Sequence, residues 1–86
     1  MSGPAVQVRL FAAARAAAGG CAATETEPGS TLAQALDQLT EAFGPAFGRV
    51  ARRCSYLVDG RRTNPDSAAP LAPGQTLDLL PPFAGG

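Results

Sequence analysis

The stretch Thr31-Leu32-Ala33-Gln34-Ala35-Leu36-Asp37-Gln38-Leu39-Thr40-Glu41-Ala42-Phe43-Gly44-Pro45 decides the fold. Leu32, Leu36, Leu39 and Phe43 stand at i, i+4, i+7 and i+11, a single apolar stripe along a helix. Thr31 offers a capping hydroxyl, and Gln34 three residues later completes the pattern of a capping box. Gly44-Pro45 stops the helix. Each of the four side chains contributes ~1.5–3 kcal/mol if fully buried, so this stripe must be about half of the core. A one-sided helix of this length needs a sheet face to lie across.

The flanking sequence supplies the strands. Upstream, Ser2 to Pro4 is a loose leader, and Val6, Val8 and Leu10 then alternate with Gln7, Arg9 and Phe11. That period of two is a strand with one buried face, and it puts Phe11 on the open face with the polar residues. Ala12 to Ala18 reads equally as helix, from its alanines, or as a wide turn broken by Gly19-Gly20. Cys21 to Glu27 is a weak second strand, with Thr24 and Thr26 on one face, Glu25 and Glu27 on the other, and Pro28-Gly29 closing it. Downstream, Pro45 to Arg53 is ambiguous, with room for a short helix over Ala46 to Val50. Ser55 to Val58 is a third strand, and Asp59-Gly60 is a hairpin signal leading into Arg61 to Thr63. After a turn-rich stretch, Asn64 to Pro70, Pro73-Gly74 sets a last turn before the strand Gln75 to Leu80. There Leu77 and Leu79 face one way while Thr76, Asp78 and Leu80 face the other.

Two strands, a long helix and three more strands make an α+β pattern. The first and last strands are the most apolar, and parallel neighbours at the centre of a sheet are the most deeply buried. Setting those two side by side, with the helix as crossover between the halves, gives the β-grasp, or ubiquitin-like, architecture. The expected form is a mixed sheet of about four to five strands with one long helix packed across one face.

Composition narrows the function. The 86 residues suit one domain with one modest core. Seven arginines balance seven acidic residues, so no net field favours nucleic acid or an anionic membrane. No stretch has the length of a membrane-spanning helix, and the first residues lack the order of a signal peptide, so the expected compartment is the cytoplasm. Cys21 and Cys54 lie far apart, with no histidine and no Cys-x-x-Cys spacing, which points to two buried or half-buried thiols and to no metal. The absence of lysine removes Schiff-base chemistry and any isopeptide acceptor in this chain.

The end of the chain, Leu79-Leu80-Pro81-Pro82-Phe83-Ala84-Gly85-Gly86, carries the chemistry. Pro81 and Pro82 cannot join a ladder and hold φ near −65°, so they end the strand and project the last four residues stiffly. Gly85 and Gly86 allow close backbone approach. A terminal glycine pair on its own is also what an ordinary tolerant chain end looks like. The Pro-Pro-x-x-Gly-Gly order makes it a stiff stalk with a slender tip, suited to threading a carboxylate into another protein's active site. The expected division is a β-grasp domain over 1–82 and a flexible tail over 83–86.

At both ends the sequence resembles the MoaD-type proteins, the small sulfur-carrier subunits of molybdopterin synthase, and their ThiS-like relatives. Val8-x-x-Phe11-Ala12-x-x-Arg15-x-x-x-Gly19 is similar to the family's first-strand motif. Pro70-Leu71-x-x-Gly74, a strand, Pro81-Pro82 and Gly85-Gly86 are similar to its end. The chain departs from the pattern at Gln75, where Asp is usual, at Asp59, where Asn is usual, and in a slightly longer loop before Pro70.

The resemblance implies a carrier, not an enzyme. An E1-like adenylating enzyme of the MoeB or ThiF type would use ATP and magnesium to turn the Gly86 carboxylate into an acyl-adenylate, replacing an oxide leaving group by AMP. Sulfur from a persulfide donor then displaces AMP and leaves a thiocarboxylate, ionised at neutral pH and nucleophilic. The acceptor would be a pterin precursor held by the synthase large subunit (MoaE type), the product molybdopterin, and no cofactor would be bound by the carrier itself. Phe11 and Leu80, which alternation puts on the open face, either cover one another or form the partner patch, with Arg15 and Arg62 at its flanks. Phe83, beyond the prolines, would anchor in a partner's groove. Sulfur carriage for thiamine, cysteine or a thio-containing metabolite, or use as a ubiquitin-like modifier of lysines, begins with the same adenylation and stays open.

Overall fold

The structure is a computed structural model and describes residues 3–82. Eight elements follow in order: β1 (Val6–Leu10), α1 (Ala12–Ala17), β2 (Ala23–Thr26), α2 (Leu32–Phe43), α3 (Pro45–Ala51), β3 (Ser55–Val58), β4 (Arg61–Thr63) and β5 (Thr76–Leu80). The five strands form one sheet in the order β2-β1-β5-β3-β4. β1 and β5 are parallel neighbours at its centre, with Val8 opposite Leu77 and Leu10 opposite Leu79. The β1–β2, β3–β5 and β3–β4 pairs are antiparallel. This is the β-grasp topology expected from the apolar character of the first and last strands.

The helix forms for the reasons its sequence gives. The Thr31 hydroxyl accepts from Gln34 N–H at 3.3 Å, and the Gln34 side chain accepts from Thr31 N–H at 2.9 Å, closing both halves of the capping box. Leu32, Leu36 and Leu39 are buried with Ala35 between them. Phe43 is only half-buried and leans on the Phe47 ring, with centroids 5.1 Å apart. Beneath the helices, Val6, Val8, Leu10, Leu77 and Leu79 fill the covered face of the sheet.

Two segments that the sequence left open are helical. Ala12–Ala17 is α1, and α3 runs one residue beyond each end of the short helix considered over Ala46 to Val50. Among the described residues, two short helices thus join the one long helix, α2, beside the sheet. α3 brings Phe47 into the core with no exposure, and this is possible because Gly48 lets the helix approach α2 closely. A Cβ at Gly48 would stand 2.7 Å from the Thr40 methyl. Tyr56 closes the layer, its hydroxyl donating to Ala51 O at 2.5 Å.

The Asp59-Gly60 hairpin has positive φ at both residues, 50° and 79°, the conformation of a primed turn. Asp59 Oδ1 accepts from Thr76 N–H at 2.9 Å, and Gln75 Nε2 donates to Asp59 Oδ2 at 3.2 Å. The two residues that depart from the resembled pattern therefore touch each other. An amide and a carboxylate still meet there, with the positions exchanged.

Candidate functional site

The residues around the root of the tail are set by the two central strands. Phe11 N–H donates to Leu79 O at 3.2 Å, continuing the parallel ladder one step beyond β1. Leu80 lies opposite Ser55 of β3, and exposed Pro81 and Pro82 come next. Strand alternation places Phe11 and Leu80 on the face away from α2, as the sequence implied. Phe11 is 37% exposed, high for a large apolar side chain, while Leu80 is half-buried. A hollow of about 250 Å³ between Phe11, Ala14, Val50, Arg53, Pro81 and Pro82 adjoins them. Another, of about 410 Å³, lies on the other side of Pro82 against Arg53, Arg62, Thr63 and Asn64.

The centre of this face is not among the residues that local sequence pattern singles out. Strand registers align Ala23, Arg9, Asp78, Leu57 and Arg62 in one row across the sheet. Arg9 grips Asp78 with two hydrogen bonds, Nε to Oδ1 at 2.6 Å and Nη2 to Oδ2 at 2.7 Å. The Asp78 side chain is 8% exposed and Arg9's is 56% exposed, so the guanidinium is the lid and the carboxylate lies beneath it. The hydrogen bonds, and then the charge of Asp78, hold the Arg9 proton more firmly than usual. Arg9 Cζ also stands 6.0 Å from the centre of the Phe11 ring. A signal existed in the sequence: an aspartate between Leu77 and Leu79 in a central strand needs a partner, and Arg9 shares its face.

The flanking arginines differ in where they stand. Arg62 joins the open face through its place opposite Leu57. Arg15 points along α1 and reaches Gly20 O at 3.4 Å, bracing the turn before β2. Cys21 and Cys54 are free and half-buried. Burial pushes the Cys54 thiol pKa up, and its Sγ donates to Val50 O at 3.4 Å. Phe83, Ala84, Gly85 and Gly86, which the sequence assigns to the tail and its reacting carboxylate, lie outside the described residues.

Residues 8–86 match the model of the ThiS family. Among solved structures, that of small archaeal modifier protein 1 from Haloferax volcanii is 28% identical, with a TM-score of 0.70 over 94% of this chain and 100% of that one. The complex of subunits 1 and 2 of molybdopterin-converting factor from Helicobacter pylori contains a chain 18% identical, with a TM-score of 0.65 over 95% and 99%. A further Haloferax volcanii protein, solved in solution, is 20% identical with a TM-score of 0.73 over 96% and 87%. The comparison with curated proteins gave no match. Among the described residues no helix is long and apolar enough to cross a membrane.

Proposed function

We propose, from the premise that this chain belongs to the ThiS family of ubiquitin-like proteins, that it carries sulfur on Gly86 for molybdopterin synthesis. The observation that carries the reading is the extent of the family match, which runs through Pro81-Pro82 to Gly86. The chain acts as a co-substrate. An E1-like partner uses ATP and magnesium to adenylate the Gly86 carboxylate, releasing pyrophosphate. The outer sulfur of a donor persulfide then displaces AMP and forms an acyl disulfide. A second thiol takes the donor sulfur into a disulfide and releases the thiocarboxylate. That sulfur attacks an electrophilic carbon of the pterin precursor on the large subunit. Phe11 and Leu80 support docking to both partners, because exposed Phe11 lies beside the strand that leads to the tail and half-buried Leu80 ends it.

The test is mass spectrometry after incubation with ATP, magnesium, an activating enzyme and a persulfide donor. The intact chain should exchange one C-terminal oxygen for sulfur. A chain lacking Gly86 loses ~3.3–3.6 Å of reach and should stay unmodified, since even ~1 Å of misplacement costs ~100-fold. A chain extended beyond Gly86 should stay unmodified too. Equal thiocarboxylate in all three would overturn the carrier reading. Conversion of a pterin precursor on adding a large subunit then separates molybdopterin synthesis from thiamine, cysteine or other sulfur pathways.

A second reading, a protein modifier, is favoured by the likeness to small archaeal modifier protein 1. It predicts Gly86 in amide linkage to lysines of other proteins, which peptide mapping of conjugates detects.

A further inference from the structure

The β2 edge of the sheet has its own construction. On β1, Leu10 N–H donates to Ala22 O, whereas Gln7 and Phe11 N–H donate toward β5. The period of two therefore turns the backbone of Ala22, Thr24 and Thr26 toward β1 and that of Ala23 and Glu25 outward. β2 is the end of the strand order, so the N–H and C=O of Glu25 face out from the sheet. Beside this edge lies a hollow of about 550 Å³ between β2 and α2, with Leu39 and Ala42 on its helix side and Thr24 and Thr26 on its strand side. Its wall is held in place: Gln38 accepts from the Thr26 hydroxyl and donates to Ser30 Oγ at 2.8 Å.

The charge at this edge has one sign. Glu25 and Glu27 line the hollow and no arginine does. The ion pairs between described residues, Arg9–Asp78 and Arg52–Asp37, lie elsewhere. The opposite edge contrasts with it, because β4 is three residues long and carries Arg61 and Arg62. A short, charged strand of that kind discourages further pairing.

We propose that the β2 edge receives an extended basic segment of a partner protein, added as a further strand. Main-chain bonds to Glu25 would fix its register, as in β-strand addition generally. Alternate side chains would enter the hollow over Leu39 and Ala42, and the intervening lysines or arginines would meet Glu25 and Glu27. The acidic end of β2 pairs with the Val6 end of β1, away from Phe11 and Pro81. The edge can thus be occupied while the tail is engaged elsewhere, so the proposal is independent of the sulfur chemistry.

The test titrates the full chain, labelled for NMR, with a blocked peptide of seven residues alternating valine and arginine. Shifts should centre on Ala23–Thr26 and residues 38–42, and the glutamate counterpart of the peptide should bind at least tenfold more weakly. Glu25→Gln should weaken binding about threefold to tenfold. Glu25→Pro should abolish it, since that position makes no ladder bond to β1 and proline removes only the outward donor. Should Glu25→Pro fail to fold by circular dichroism, Ala42→Lys, on an exposed helix position, serves as the block. Equal binding of the basic and acidic peptides, shifts centred on the open face, or full binding by the folded blocked variant would overturn the proposal. So would self-association without peptide that Arg61→Glu removes, because the occupant would then be β4 of a second copy.

Discussion

The two faces of one sheet are built on opposite principles from the same strands. On the covered face Val8, Leu10, Leu77 and Leu79 exclude water by packing under helices. On the open face no helix helps, and the central strands cover themselves: Arg9 folds over Asp78 while its guanidinium stands near the Phe11 ring. One face holds the fold by burying its side chains. The other carries exposed Phe11 and an arginine, Arg9, held by its ion pair with Asp78, and on the proposed reading this is the face a partner meets. A substitution's effect should follow the face it belongs to.

The sharpest way to break that division is Leu77→Ala. Leu77 has no exposure, and its truncation should cost about 2–5 kcal/mol, read in denaturant or thermal unfolding. If it proved neutral, the covered face would not be what holds the sheet. Gly48→Ala comes next, because its Cβ would meet Thr40 at 2.7 Å, and Thr40 is itself tied by its hydroxyl to Leu36 O at 2.7 Å. Overpacking there should cost about 1–3 kcal/mol, with α2 and α3 amides losing hydrogen-exchange protection first.

Phe11→Asp and Leu80→Asp probe the other face. Each should weaken binding to the activating enzyme and the large subunit by at least about tenfold, roughly 1.4 kcal/mol. Stability should change by only about 0.5 kcal/mol, because neither belongs to the covered face. Loss of cooperative unfolding in either variant would move that residue into the core.

The smallest effect is expected from pH. Burial raises the Cys54 pKa, and burial foremost, then the neighbouring Cys54, raises that of Tyr56, against a lowering by Arg52. The folded chain then keeps protons that the unfolded chain has lost, so stability is complete below the ordinary thiol pKa, about 8.5, and declines as pH rises through the raised value. A slight fall in Tm should begin above about pH 8.5, and Cys54→Ala should remove its first part, leaving the tyrosine's contribution nearer pH 10. A flat profile in the unsubstituted chain would mean that the lower rim of the layer is wet.

What could be read from the sequence was whatever local pattern determines. The capping box at Thr31, the alternation of β1 and β5, and the Asp59-Gly60 turn are local, and each formed where expected. α3 was ambiguous because a seven-residue segment with Pro45 and Gly48 has little intrinsic helicity, and it is held by contact with α2 and by Phe47. The Arg9–Asp78 pair joins residues 69 apart and exists only once the parallel register is set. Phe11 and Leu80 were legible as open-face residues from alternation. Arg15's bond to Gly20 was not, since it depends on how α1 turns into β2.

The strand order bears on how the molecule comes into being. β5, the last strand in sequence, sits in the middle of the sheet, between the β1–β2 and β3–β4 pairs. Two isolated two-stranded ribbons are marginal in water. During synthesis both must therefore wait, unstable, for the strand that joins them, and the long separation of their contacts makes that closure slow. A protease cutting between Asn64 and Pro73 would leave the joining strand held only by its ladders to β1 and β3 and by the packing of Leu77 and Leu79. Because that one strand carries Leu77 and Leu79 on one face and Asp78 and Leu80 on the other, its release would take both faces apart in a single step.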